Sequence, residues 1–134
     1  MVQKEAAERL CAQPGTRECG AVSAAVQYYA EPEILFEVSR GSFMPAPNVD
    51  SAVIQLRIRK ELPVDVHDEE LFFRVIRAAF AQRRKTAVNS ISNTLHMSKQ
   101  QVTDAFEQAG VRANSRAEAL TLPEFAAIVN QLTD

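Results

Sequence analysis

Hydrophobic and polar residues recur with two different periods along this chain, and the change of period divides it. Residues 3 to 12 (Gln-Lys-Glu-Ala-Ala-Glu-Arg-Leu-Cys-Ala) are strong helix formers closed off by Pro14-Gly15, which predicts a first short helix. In residues 20 to 30, Val22, Ala25, Val26 and Tyr29 take the i, i+3, i+4, i+7 spacing of an amphipathic helix that has to stop before Pro32. The period then drops to two. Ser51 to Arg59 sets Ala52, Ile54, Leu56 and Ile58 against Val53, Gln55, Arg57 and Arg59, and Ile34 to Val38 is a short apolar run, so both read as strands. The twelve residues between them hold Gly41, Pro45 and Pro47, too irregular for a tight turn, and predict a long-looped antiparallel hairpin.

After Pro63 no strand signal returns, and residues 66 to 134 read as all helical. Phe72, Ile76, Ala79 and Phe80 make one apolar stripe and Val88, Ile91 and Leu95 another. Ser98 to Gln101 is a capping box ahead of Val102, Ala105, Phe106 and Ala109, with Gly110 in the place of a helix C′ residue. Ser115 to Glu118 and Thr121 to Glu124 repeat the box, the latter opening a helix with Phe125, Ile128, Val129 and Leu132. The expected boundary lies at Glu61 to Asp68. Residues 1 to 60 supply two helices and one hairpin, too little to cover both faces of a sheet, so further sheet is expected ahead of Met1.

Composition narrows the class. At 134 residues, 46% hydrophobic and 24% charged, the chain is a globular protein of about one domain's size. No run approaches the roughly 18 apolar residues of a membrane helix and the N-terminus has no apolar signal core, so a cytoplasmic protein is expected. Cys11 and Cys19 lack partners at metal or disulfide-framework spacing and read as reduced structural thiols. Gly15, Gly20, Gly41 and Gly110 lie too far apart to build a GxGxxG turn, and Gly20 is followed by Ala21-Val22 rather than the Lys-Ser/Thr of a P-loop. The net charge of −2 means that any nucleic-acid binding must come from clustered charge.

Such a cluster exists. From Leu71 to Thr103, thirty-three residues carry Arg74, Arg77, Arg83, Arg84, Lys85 and Lys99 and no Asp or Glu. In one continuous helix Arg83 would fall within the apolar stripe, so a break is expected near Gln82 to Arg84, presenting Arg83, Arg84 and Lys85 around a helix end. Guanidinium forks there suit phosphates; a merely solvated basic face fits the charge pattern too. The second feature is Phe43-Met44-Pro45-Ala46-Pro47, an aromatic ring on a proline-stiffened loop. Two readings stand on spacing alone: a ring pre-positioned to stack on a nucleobase, or one that anchors its own loop. No catalytic constellation emerges: His67 and His96 are far apart, and Glu69-Glu70 reads as an acidic helix start matched to the dipole.

Six motifs in order then carry a resemblance: Met1 to Leu10, Pro14 to Arg17, Gln27-Tyr28-Tyr29, Phe43 to Val53, Phe80 to Thr86, and Arg116-Ala117-Glu118. Over nearly its whole length the chain resembles the ribosomal RNA adenine N6-dimethyltransferases, in particular the bacterial small-subunit (16S) branch. The resemblance implies an α/β plus all-α fold. Residues 1–65 would be the C-terminal remnant of a Rossmann-like methyltransferase domain, starting at the end of a late strand, and residues 66–134 a helical domain that docks on the ribosome. It implies a parent enzyme that uses S-adenosylmethionine to dimethylate two adjacent adenosines near the 3′ end of 16S rRNA, with rRNA and the small subunit as partners and neither membrane nor DNA. Phe43 matches the phenylalanine implied to stack on the flipped-out base, while Arg74, Arg77, Arg83, Arg84 and Lys85 are the expected RNA-binding set.

The resemblance also marks what is missing. The family's glycine-rich cofactor loop and its Asn-Leu-Pro-Tyr segment have no counterpart, so this chain alone is expected neither to bind the cofactor nor to methylate. Cys19, Ser39 and Asn48 stand where an aromatic residue, a proline and a lysine are usual. The competing expectation is a stand-alone, non-catalytic rRNA-docking module. A helix-turn-helix DNA binder on residues 98 to 132 is disfavoured because Ala117 to Val129 has no basic residue.

Overall fold

In the computed structural model, which describes residues 1–133, the change of period near Pro63 separates a small sheet with two helices from a group of four helices. The order is β1 (Val2–Gln3), α1 (Lys4–Cys11), α2 (Ala21–Tyr29), β2 (Ala30–Val38), β3 (Ser51–Ile58), α3 (Glu69–Phe80), α4 (Ala87–Leu95), α5 (Lys99–Gln108) and α6 (Leu122–Thr133). β2 and β3 form the expected long-looped antiparallel hairpin, in register from Ala30 opposite Ile58 to Val38 opposite Ser51, with an irregularity between Ile34 and Phe36.

Several expectations change. The hairpin is not alone: Val2 and Gln3 pair antiparallel with Ala52 and Ser51, giving a three-stranded sheet ordered β1-β3-β2. Gln3 therefore belongs to a strand and the first helix starts one residue later. β2 begins at Ala30, earlier than Ile34, and accommodates Pro32 because β2 is an edge strand, where a missing N–H leaves no ladder bond unmade. Ser115 starts no helix. Its box resolves into a 3-10 turn at Ala117–Ala119 with no side-chain cap.

The second helix presents a different face from the one its apolar spacing suggests. Val22 and Tyr29 are 63% and 45% exposed, while Ser23, Ala24, Gln27 and Tyr28 are buried. The reason lies at the end of α1, whose last carbonyls have no partners within the helix. Gln27 Nε2 donates to the Leu10 and Ala12 carbonyls, and Ser23 Oγ donates to that of Arg9 while accepting from Gly20 N. Satisfying those groups fixes the rotation of α2.

The helical part follows its patterns closely. Phe72, Ile76, Val102, Phe106, Phe125 and Ile128 are almost wholly buried in one core, which also takes in Cys19, Ala24 and Tyr28 from the N-terminal side. Asp68, Thr86 and Ser98 cap α3, α4 and α5. Thr121 and Glu124 exchange capping bonds, Thr121 N donating to Glu124 Oε1 at 3.0 Å and Glu124 N to Thr121 Oγ1 at 3.3 Å. Gly110 follows α5 with φ +76°, the left-handed region that terminates helices at lowest cost in glycine. Burial raises the Cys19 thiol pKa, against a smaller lowering by Ser23; burial and then Glu33 raise that of Cys11. Neither has the depressed pKa of a reactive thiolate.

An aromatic seam joins the two parts. Tyr28 and Tyr29 meet Phe73 at ring-centroid distances of 5.2 and 5.6 Å. Tyr28 Oη donates to Glu69 Oε2 at 2.9 Å and Tyr29 Oη to Glu69 Oε1 at 2.6 Å. Burial, and then the Glu69 bond, push the Tyr28 phenol up to about 12; the Glu69 bond also raises Tyr29. Both phenols thus remain protonated donors at neutral pH.

Candidate functional site

The loop between β2 and β3 is held at its root by a short polar network. Leaving β2, Ser39 accepts from Gly41 N at 3.3 Å and opens a 3-10 turn over Arg40–Ser42. Arg40 donates twice across the loop, from its backbone N to Asp50 Oδ1 at 2.9 Å and from Nη1 to the Asn48 carbonyl at 3.0 Å. Asp50 in turn accepts at its own carbonyl from Lys4 N at 2.9 Å, tying the loop to the start of α1. Ser39 supplies the turn with an oxygen, and Asn48 contributes its backbone rather than its side chain. Beyond this brace Phe43 is half-buried, whereas Met44 is 99% exposed and precedes a cis Pro45.

The basic cluster sits on a turn that the rest of the domain shapes. α3 ends at Phe80, so the expected break is present. Arg74 and Arg77 lie on α3, whereas Arg83, Arg84 and Lys85 occupy the turn before Thr86 caps α4. All five are exposed, and among the described residues none forms an ion pair. The turn is bound from three sides, through its backbone by Ser90 and Arg116 and through the Gln82 side chain by Asn93. Ser90, fully buried in α4, accepts from Gln82 N at 3.0 Å and donates to the Ala78 carbonyl; Asn93 donates to Gln82 Oε1 at 3.1 Å; and Arg116 donates to the Arg83 carbonyl at 3.2 Å.

Spacing gives no sign of Ser90, because a serine inside a helical stripe reads as filler. Its role implies a measurable cost. Ser90→Ala leaves the Gln82 N–H at the helix end without its partner and takes from the Ala78 carbonyl one of its two donors, the other being Ala81 N, and should lower stability by about 1–3 kcal/mol in chemical unfolding. An unchanged midpoint would show that water replaces the hydroxyl.

Loop and basic turn lie at the two ends of a run of adjoining hollows along α1. One of about 360 Å³ is lined by Lys4, Glu5, Glu8, Arg40, Asn48 and Asp50. The next, also about 360 Å³, shares Glu5 and Glu8 and adds Arg9, Arg17, Glu18 and Arg83. The third, about 210 Å³, is lined by Arg17, Cys19, Phe80, Arg83 and Glu118. Arg9, Arg17 and Arg116 lie outside the expected binding set. They join the site only because folding brings α1, the Pro14 to Arg17 turn and the 3-10 turn to one side of Arg83.

The profile of the family described as "Ribosomal RNA adenine dimethylase" matches residues 1–134. The chain is 50% identical to the ribosomal RNA small subunit methyltransferase A of Geobacillus thermodenitrificans, over 98% of this chain and 46% of that protein. It is 43% identical to the protein of the same description in Clostridioides difficile, over 97% of this chain and 45% of that protein. The chain thus spans less than half the length of these curated relatives. Its fold superposes on a dimethyladenosine transferase from Plasmodium falciparum with TM-score 0.72 at 19% identity, covering 98% of this chain and 55% of that one. It also superposes on the 23S rRNA methyltransferase ErmE with TM-score 0.64 at 22% identity, covering 98% and 52%. These neighbours give the fold as that of the methyltransferase type. Among the described residues no helix is long and apolar enough to cross a membrane.

Proposed function

This chain belongs to the ribosomal RNA adenine dimethylase family, and from that premise we propose that it is the RNA-contacting part of an S-adenosylmethionine-dependent enzyme. On this reading the enzyme dimethylates two adjacent adenosines near the 3′ end of 16S rRNA during assembly of the small ribosomal subunit. Residues 1–65 are the closing portion of a Rossmann-like methyltransferase domain, and residues 66–134 a helical domain that docks on the particle. The observation that carries the reading is the groove along α1, with a braced aromatic loop at one end and an unpaired basic turn at the other.

The chemistry explains both ends. The exocyclic nitrogen of adenine is a poor nucleophile, its lone pair being delocalised into the ring, so the base must be taken out of its stack and oriented. Phe43 supplies a ring face on which an extruded base can stack; Arg83, Arg84 and Lys85, with Arg74 and Arg77, hold phosphates of the flanking RNA. S-adenosylmethionine supplies the methyl group. None of the four glycines here forms the paired-glycine loop that cradles such a cofactor, so we assign no cofactor-binding residue to this chain.

The test compares two proteins. The full-length protein should transfer methyl groups to the paired adenosines of 16S rRNA, read as primer-extension stops. The 134-residue chain alone should show no heat of binding with S-adenosylmethionine in titration calorimetry and no transfer. A micromolar dissociation constant for the isolated chain would overturn the assignment of the cofactor site elsewhere. Absence of transfer by the full-length protein would overturn the proposed activity. Specific small-subunit binding by the isolated chain, without any activity of the full-length protein, would favour the stand-alone docking module.

A further inference from the structure

Two features of the sequence find no use in the function as proposed: the Gln27-Tyr28-Tyr29 motif and the acidic start of α3. The structure brings them together. Both phenols of consecutive tyrosines donate to the two oxygens of a single carboxylate, Glu69, across 40 and 41 residues of chain. Simple capping does not require this, because Asp68 already caps α3 by accepting from Leu71 N. Nor does packing require it, since the Phe73 contacts use the ring faces and edges and leave the hydroxyls free.

The position of this carboxylate is what gives it a use. Tyr29 is the last residue of α2, and β2 begins at Ala30 with no linker between them. The far end of β2, nine residues and about 30 Å away, leads into the Phe43 loop. The near end is fastened a second time by Arg59 at the close of β3, whose N donates to the Tyr29 carbonyl and whose Nε donates to that of Gln27, each at 2.9 Å. Glu69 is the first residue of α3, a rod of twelve residues and about 18 Å whose far end carries the basic turn. The clamp therefore sits where the two rigid arms meet, one ending at the aromatic loop and the other at the basic turn. A hinge at this point would change the distance between those ends more than a hinge anywhere along either arm.

We propose that Tyr28, Tyr29 and Glu69 are positioning residues that fix the angle between the strand pair and α3, so that RNA held at the basic turn delivers its target base to Phe43. This rests on the proposed function above. A carboxylate suits the task because it offers acceptors on both oxygens, whereas the amide of Glu69→Gln offers one acceptor and one donor and so meets only one phenol as the clamp requires. Misplacement of reacting groups by about 1 Å costs on the order of 100-fold in rate; loosening one of two bonds should cost less.

The test uses the full-length protein with Glu69→Gln and, as a milder change that leaves the ring packing in place, Tyr29→Phe. Two RNAs are compared: the small-subunit particle, which spans both ends of the groove, and a short hairpin with the target adenosines alone. Turnover on the particle should fall about tenfold in Glu69→Gln, and in the same direction in Tyr29→Phe, with particle affinity unchanged and the rate on the short hairpin unchanged. Equal loss on both RNAs would mean a general structural defect, and no loss on either would mean no positioning role; both overturn the proposal. A second readout is independent of activity. Spin labels at Ala46 and Thr94, in a Cys11→Ser background, should give a broader distance distribution in Glu69→Gln than with the clamp intact, and an unchanged distribution would overturn the proposal. If the unsubstituted protein methylates neither RNA, the proposed function falls, and the distance measurement alone decides the clamp.

Discussion

Phe43→Ala in the full-length protein should slow methyl transfer to 16S rRNA by about 5- to 150-fold, the rate equivalent of the roughly 1–3 kcal/mol that base-on-aromatic stacking is worth. The loop's polar brace runs through Ser39, Arg40, Asn48 and Asp50 and makes no use of the ring, so the loop should survive the change. Phe43 is half-buried, however, and the competing role of a hydrophobic anchor has to be separated from stacking. Phe43→Leu and Phe43→Tyr do this. Leucine keeps most of the apolar contact and loses the ring face, whereas tyrosine keeps both. Stacking predicts that Leu behaves like Ala and Tyr like the parent, with the particle's affinity little changed in all three. If Leu restored the rate, the ring would be an anchor and the base would have to be held elsewhere.

Much of this site is legible in the amino-acid sequence, and the parts that are not share a physical cause. The loop with Phe43 and the basic turn each occupy a few consecutive residues, and prolines, an apolar stripe and an acid-free stretch leave marks in sequence. The strands, the break after Phe80 and the boxes at Ser98 and Thr121 are legible for the same reason. What escapes depends on partners far along the chain. The face of α2 misleads because Ser23 and Gln27, polar by any measure, are drawn inward by the carbonyl end of α1. β1 escapes because two residues give no period, and Ser115 misleads because a box without a following apolar stripe does not make a helix. Ser90, Arg116 and the Tyr28-Tyr29-Glu69 clamp act across separations that no local pattern records.

The basic turn invites the largest change of all when its charges are removed together. Replacing Arg83, Arg84 and Lys85 by Ala should weaken small-subunit binding and flatten the plot of log affinity against log salt. The slope should fall by roughly one unit for each phosphate no longer held, so by up to about three. Three units correspond to roughly 60-fold in affinity between 50 and 200 mM salt. The turn itself should remain, because its bonds to Ser90 and Arg116 engage the backbone of Ala78, Gln82 and Arg83 rather than the substituted side chains. Thermal unfolding of the variant is therefore expected to stay close to the parent's, which separates a charge effect from a folding defect. The same argument sets Arg116 apart. Its guanidinium already supports the turn, so Arg116→Ala should cost some stability as well as affinity, whereas the triple variant should cost affinity alone. Were the triple variant to keep both its affinity and its salt slope while folded, the cluster would be a solvated face. The groove past Arg9 and Arg17 would then be left as the place where the RNA backbone is held.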